Sequence, residues 1–314
     1  MKHTALSLLM AVLVATPAYA AAPMAKTQAP GYYRMMLGDF EITPLSDGTV
    51  DLPVDKLLTQ KADKTNAALA KAHLKAPLET SDNAYLINTG SKLILVDTGA
   101  GILFGPTLGK LQASLKAAGY TPEQVDEIYL THMHSDHLGG LLVTKGTPAF
   151  PNAVVRAAKA EADEWLSQAK MDKAKEDDKG SYHNAMAALD PYVKAGKFKT
   201  FEGDVELAPG IRAQGGHGHT PGHTTYVVTS GGRKMVMIGD LIHVGAVQFE
   251  DPAVTIGFDG DQKAAAAARK KLFDAAAKDG ALIGGAHLQF PGVGYLRTEG
   301  KGYRFIPVNY TRMP

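Results

Sequence analysis

Residues 131–140 read THMHSDHLGG and place His132, His134, Asp136 and His137 within six positions. All four are metal-ligand types. The apolar run EIYL precedes them, so a strand ending at Leu130 would deliver the stretch to the edge of a sheet. His132 and His134 are two apart and face the same side of an extended segment. Asp136 and His137 come once the chain turns, and can face a second, adjacent point. One ion does not conveniently take all four, whereas two neighbouring ions can. The spacing therefore points to a dinuclear centre of the kind used in hydrolysis. A lone histidine is usually a surface or core residue, and eleven histidines in 314 residues is not extreme. Four ligand types in six positions, at a strand end and before Gly139-Gly140, is far harder to reach by chance.

More ligand types stand where other strands meet loops. GGHGHTPGHT offers His217, His219 and His223, MIGDLIH offers Asp240, and GGAHLQFPG offers His287. The two oxygens of Asp240 could bridge two cations at the roughly 3.5–4 Å separation useful for hydrolysis. Cysteine is absent, so any metal here is held by imidazole and carboxylate. That ligand set suits zinc, and also manganese, iron or cobalt. A storage site would be closed by protein ligands, whereas catalysis needs an open position, which separates an enzyme from a non-catalytic metal-binding protein.

The elements that must position these groups alternate. DFEITPLSDGTVDLP reads as a hairpin turning at Asp47-Gly48, and NAYLINTGSKLILVDTG as a second turning near Thr89-Gly90. Leu93 to Val96 is a solid apolar run, as expected of a buried strand. DKLLTQKADKTNAALAKAHL, GPTLGKLQASLKAAG and DQKAAAAARKKLFDAAAKDG read as helices, and NAVVRAAKAEADEWLSQ as strand then helix. TTYVVTSGGRKMVMIGD is a third hairpin, turning at Gly231-Gly232. Residues 167–198 are charged and irregular with helical patches, and read as a variable insertion or cap. The whole predicts a mixed α/β (α+β) fold with two sheets packed together and helices outside. Each half carries a hairpin ending in an aspartate, Asp97 and Asp240.

Charge is balanced, with 33 basic and 32 acidic side chains, which gives no footprint for nucleic acid. Residues 1–20 have a basic start, an apolar stretch shorter than the ~20 residues of a membrane span, and an Ala18-Tyr19-Ala20 ending. They read as a Sec-type signal peptide cleaved after Ala20, with the mature chain exported to a periplasm or beyond and no membrane anchor. Residues 21–32 read as a flexible lead-in to a single domain over 33–314.

H-x-H-x-D-H, then T-P-G-H-T, then G-D, then a late A-H, in that order, resembles the metallo-β-lactamase superfamily over nearly the whole mature chain. The resemblance implies a four-layer αββα sandwich with two divalent metal ions, zinc above all, at one edge of the paired sheets. Carried over by position, it implies His132, His134 and His223 on one metal, Asp136, His137 and His287 on the other, and Asp240 bridging. Asp136 and Asp240 would be the catalytic carboxylates, with a hydroxide shared by the metals as nucleophile. Asp97 would orient a ligand, and His219 would have a supporting role; His217 and His183 receive no assignment.

LVDTGAGILFGPTLGKL, HGHTPGHTTYVV, GDLIHVGAVQFEDP and GKGYRFIPVNY are similar to methyl parathion hydrolase and its lactonase and aryl-esterase relatives. That similarity implies a homodimer and a pocket lined by aromatic side chains, with Phe104, Trp165 and Tyr182 at about those positions. Leu57, His243, Ile256 and Phe258 stand at or near pocket positions where the specialised triesterase carries other residues. They favour a planar lactone or aryl ester over a bulkier phosphotriester. The expected function is an exported dinuclear hydrolase of a lactone or aryl ester with organophosphate triester hydrolysis as a side reaction. The alternatives are organophosphate hydrolysis as the main activity and a non-catalytic periplasmic metal-binding protein.

Overall fold

The computed structural model describes residues 22–144 and 146–313; the signal-peptide assignment of residues 1–20 lies outside them. Among the described residues no helix is long and apolar enough to cross a membrane. The first half of the chain lays down β1 (Met35–Leu37), β2 (Phe40–Leu52), β3 (Leu78–Asn88), β4 (Leu93–Val96) and β5 (Glu127–Tyr129). A separate ribbon of β6 (Leu142–Thr144) and β7 (Thr147–Pro148) comes next, then β8 (Val154–Ala158) and β9 (Phe198–Phe201). The second half supplies β10 (Val205–Ala208), β11 (Ile211–Gly215), β12 (Thr224–Ser230), β13 (Arg233–Gly239), β14 (Leu282–Gly285), β15 (Val293–Glu299) and β16 (Gly302–Pro307). Two seven-stranded sheets result, ordered β1-β2-β3-β4-β5-β8-β9 and β10 through β16.

Strand alternation explains the layering. Tyr85, Ile87, Ile94, Val96 and Tyr129 of the first sheet meet Tyr226, Val228, Met235, Met237 and Leu282 of the second in a shared inner core. The intervening residues Ala84, Leu86, Leu93 and Leu95 face the other way, under helices. Both faces of β4 are therefore buried, which is why it reads as an unbroken apolar run. Val236, Ile238 and Ile283 likewise cover the outer face of the second sheet. Truncating one such side chain to alanine costs about 2–5 kcal/mol.

Nine α-helices flank the sheets among the described residues: α1 (Val54–Leu57), α2 (Ala62–Lys71), α3 (Leu111–Ala117), α4 (Ser135–Leu138), α5 (Lys159–Trp165), α6 (Gln168–Lys173), α7 (Glu176–Lys194), α8 (Gly245–Gln248) and α9 (Gln262–Asp279). The start of α9 is set by Asp261, whose side chain accepts the Ala264 N–H, and its end by Gly280 in the left-handed region. The segment 167–198 is not irregular. It is mostly α6 and α7, and Ala185, Ala188, Leu189 and Tyr192 of α7 join the core outside the first sheet. Mixed surface charge on the other face of α7 hid that apolar stripe.

Asp47-Gly48 is not a hairpin turn either. β2 runs straight through it, with a bulge where the register to β3 shifts between Ser46 and Gly48. Gly48 has φ +127°, and a Cβ there would sit 2.1 Å from the Thr107 carbonyl oxygen. The bulge turns the fully buried Asp47 carboxylate inward, where it accepts the N–H groups of Ala100, Gly109 and Leu111 at 2.8–3.0 Å. One side chain thus holds both ends of the loop 100–109. The other two hairpins form as the sequence indicates, β3 on β4 and β12 on β13.

Candidate metal centre

Strand direction gathers the ligand types. β4 and β5 are parallel, as are β13 and β14, so Asp97, the 131–137 loop, Asp240 and His287 all leave carboxyl ends of strands. His219 comes from the loop that enters β12. His132, His134, His219 and Asp240 form one group of donors, and Asp136, His137, Asp240 and His287 a second; within each group one donor atom per residue lies within 4.8 Å of all the others. Asp240 belongs to both. Its Oδ2 is 3.3 Å from His219 Nε2, 3.1 Å from His287 Nε2 and 3.7 Å from His132 Nε2, while Oδ1 is 3.2 Å from His137 Nε2.

Every expected donor except His223 is in these groups, and His219 stands where His223 was expected. The reason is local geometry. His223 is buried with both ring nitrogens engaged: Nδ1 lies 3.1 Å from the Gly216 carbonyl, and Nε2 accepts the Asp240 backbone N–H at 3.0 Å. It holds the bridging aspartate's backbone. His219 turns its Nε2 into the centre, 3.0 Å from His134 Nδ1.

The donors are themselves held. Asp97 has φ +61°, a conformation aspartate tolerates better than most residues. Its carboxylate lies 3.0 Å from His137 Nδ1 and accepts both the N–H and the Oγ–H of Thr131 at 2.8 Å. His287 Nδ1 faces the Ser81 carbonyl at 3.1 Å, and Asn83 Nδ2 donates to the Leu288 carbonyl at 2.6 Å. Two supporting carboxylates have no marker in the local sequence. Asp259 Oδ1 lies 2.9 Å from His219 Nδ1, and the fully buried Arg269 stands 3.7 Å behind it. Glu161, also fully buried, accepts the Met133 N–H at 2.9 Å and the Gly222 N–H at 2.7 Å. Asp259 thereby fixes the ring orientation of His219 and raises its basicity, whereas Glu161 fixes the backbone of the two loops that carry His132, His134 and His219. Asp259 lies just ahead of the helix capped by Asp261 and carries no signal of its own, and Glu161 reads as one charge in a helix, because the groups they hold are remote in sequence.

The electrostatics are those of a crowded anion among imidazoles. Burial acts against an ionised Asp240, but His137, His287, His243 and His132 hold its carboxyl well below the usual range. Burial and the neighbouring His219 push His134 down to about 3. Burial also opposes protonation of His287, yet the Asp240 carboxylate in contact raises it to about 9. His132 Nε2, His137 Nε2 and Asp240 Oδ1 are buried without a hydrogen-bond partner. Buried polar atoms are ordinarily satisfied. Orphaned imidazole nitrogens converging on a shared carboxylate are what divalent cations would complete, so the residues fit two such ions.

A cavity of about 530 Å³ opens over the centre, lined by Phe104, Trp165, Tyr182 and Phe258 as well as by Asp136, Asp240, His243 and His287. Trp165 packs edge-on to His134 with centroids 5.3 Å apart and lies 4.8 Å from the Tyr182 ring. His243 places Nε2 3.1 Å from Asp240 Oδ2 and stacks on His287 at 19°. Leu57 is not on the cavity wall. α1 turns its side chain into an apolar cluster around Val54 and Leu58, and its carbonyl accepts the Gly257 N–H at 2.8 Å. Leu52 and Leu108 line the wall instead. His217 is exposed and outside both donor groups.

Comparison with known proteins agrees with this architecture. The sequence pattern of the metallo-beta-lactamase superfamily matches residues 79–287. The chain superimposes on the crystal structure of hydrolase AbOPH, a member of the beta lactamase superfamily, with TM-score 0.87 and 37% identity over 91% of this chain and 100% of that one. It superimposes on AidC, a dizinc quorum-quenching lactonase solved with a product N-hexanoyl-L-homoserine, with TM-score 0.82 and 28% identity over 90% and 99% of the two chains. An N-acyl homoserine lactonase of Bacillus sp is 26% identical over 196 residues, 56% of this chain and 70% of that protein. The chain belongs to the metallo-beta-lactamase superfamily and is a metal-dependent hydrolase.

Proposed function

We propose that this protein is a dinuclear lactonase whose pocket also admits aryl esters and, as a side reaction, organophosphate triesters. One observation carries the proposal: two donor groups sharing Asp240 lie at the foot of an aromatic-walled cavity. Its similarity to AidC and to N-acyl homoserine lactonases supports a lactone as the main substrate. Zinc is the proposed metal.

The division of labour follows from the side chains. His132, His134 and His219 would hold one divalent ion, Asp136, His137 and His287 the other, and Asp240 both. When bound, such ions supply Lewis acidity and lower the pKa of water, so no protein nucleophile is required. Phe104, Trp165, Tyr182 and Phe258 bind the apolar part of the substrate and exclude bulk water. His243, within reach of both Asp240 and the cavity, is placed to hydrogen-bond the substrate's ring or leaving oxygen. Asp136 is partly exposed on the cavity side, so the centre is open to substrate, as catalysis requires and storage does not. Export is part of the proposal on the N-terminal pattern alone, and the intact mass of the protein recovered from the periplasm checks it.

The test compares kcat/KM for an N-acyl homoserine lactone, for dihydrocoumarin and for a dimethyl nitrophenyl phosphotriester. A lactone should lead by orders of magnitude; a leading phosphotriester would replace the proposed main activity by organophosphate hydrolysis. Chelator should abolish turnover, added zinc should restore it, and Asp240→Ala should remain inactive. Full activity in Asp240→Ala would sink the dinuclear mechanism.

A further inference from the structure

The geometry points to Glu161 as a positioning residue that sets one metal site and not the other. The inference rests on the metal reading above. Apart from the shared Asp240, the first donor group is assembled from two loops far apart in sequence, His132 and His134 before β6 and His219 before β12. Neither Met133 nor Gly222 lies in a strand that could pair them, yet one carboxylate joins the two. Glu161 Oε2 accepts the N–H of Met133, between His132 and His134, and Oε1 accepts the N–H of Gly222, three residues beyond His219. The contact is built closely. A Cβ on Gly222 would lie 2.6 Å from the Glu161 backbone nitrogen, so α5 seats its first turn directly on that loop. The same helix carries Trp165 against His134, so both ends of α5 rest on the loops that carry the first donor group.

The second donor group has different supports. His137 is held from Asp97 and His287 from Ser81, neither of which Glu161 touches. Replacing the Glu161 carboxylate by an amide leaves one of the two buried N–H groups facing an NH2 donor instead of an acceptor and lets the two loops separate. Displaced outer supports of this kind cost roughly 10–100-fold in metal affinity. That loss should fall on the ion held by His132, His134 and His219.

The experiment measures zinc affinity by competition with a chromophoric chelator, on the full chain in two backgrounds. His287→Ala leaves the first donor group intact, and His219→Ala leaves the second. Glu161→Gln is added to each, with Gly222→Ala as an independent variant that lifts α5 from the loop without removing the carboxylate. The expected result is a roughly 10–100-fold loss in the His287→Ala background for either variant and less than about threefold in the His219→Ala background. Equal losses in both backgrounds, or no loss in the first, overturn the assignment. A parent chain that binds no zinc overturns the metal reading itself, and the inference with it; a parent that binds two ions while Glu161→Gln shows no selectivity overturns the inference alone.

Discussion

Replacing His223 and His219 separately by alanine separates the two histidines of the HTPGHT loop by what each one loses. His223→Ala removes a ring that accepts the Asp240 N–H at 3.0 Å and contacts the Gly216 carbonyl at 3.1 Å. The Asp240 N–H is left buried without an acceptor, which costs about 1–3 kcal/mol, and the lost ring leaves a cavity. The total is about 2–4 kcal/mol, or roughly 4–8 °C in melting temperature at about 2 °C per kcal/mol for a chain of this length. Both bound ions should remain, because His223 is in neither donor group. His219→Ala removes an imidazole whose Nε2 is 3.3 Å from the shared Asp240 oxygen, so bound metal should fall from two equivalents to one. The assay is metal content after desalting, paired with melting of the metal-free protein in chelator. The reasoning is refuted if His223→Ala loses an equivalent of metal at an unchanged metal-free melting temperature while His219→Ala keeps both.

Arg269→Met should cost about 3–5 kcal/mol in denaturant unfolding, because it strands the buried Asp259 and the carbonyls of Leu241, Pro252 and Val254; a variant as stable as the parent contradicts the need for the pair. Asp47→Asn should speed amide exchange at Ala100, Gly109 and Leu111 while leaving Ile283 unchanged, since an amide group cannot accept all three N–H groups; uniform protection would show that the loop is held by something else. For Glu127, burial raises the carboxyl but Lys92 and Arg156 bring it below its ordinary value. Its stabilisation relative to Glu127→Gln should therefore be complete above the ordinary glutamate range and fade as pH falls through the lower folded value. A difference that grows on acidification would reverse that sign.

Much of the centre was legible because strands announce themselves by periodicity and deliver the residues just beyond them to one edge. His132, His134, Asp136, His137, Asp240 and His287 all stand just after an apolar run, and so does Asp97. The HTPGHT loop lacks that guide. His219 and His223 are four apart in a turn with no regular period, and only the fold shows that one faces the centre and the other the backbone behind it. Asp47-Gly48 misleads because a bulge and a tight turn draw on the same residues. Glu161 and Asp259 were invisible because their partners, Met133, Gly222 and His219, are brought to them by other strands. Leu57 was misplaced because a one-turn helix decides which way its side chain points.

Neither half of the chain holds a complete donor group. His132, His134, Asp136 and His137 come from loops of the first sheet, whereas His219, Asp240 and His287 come from the second. During synthesis the early ligands emerge long before His287, the last of them. A ribosome-bound or half-folded chain can therefore offer only fragments of the centre, which hold a cation weakly. Two ions held as proposed could be retained firmly only after the two sheets have docked, so metal loading would be a late step of assembly.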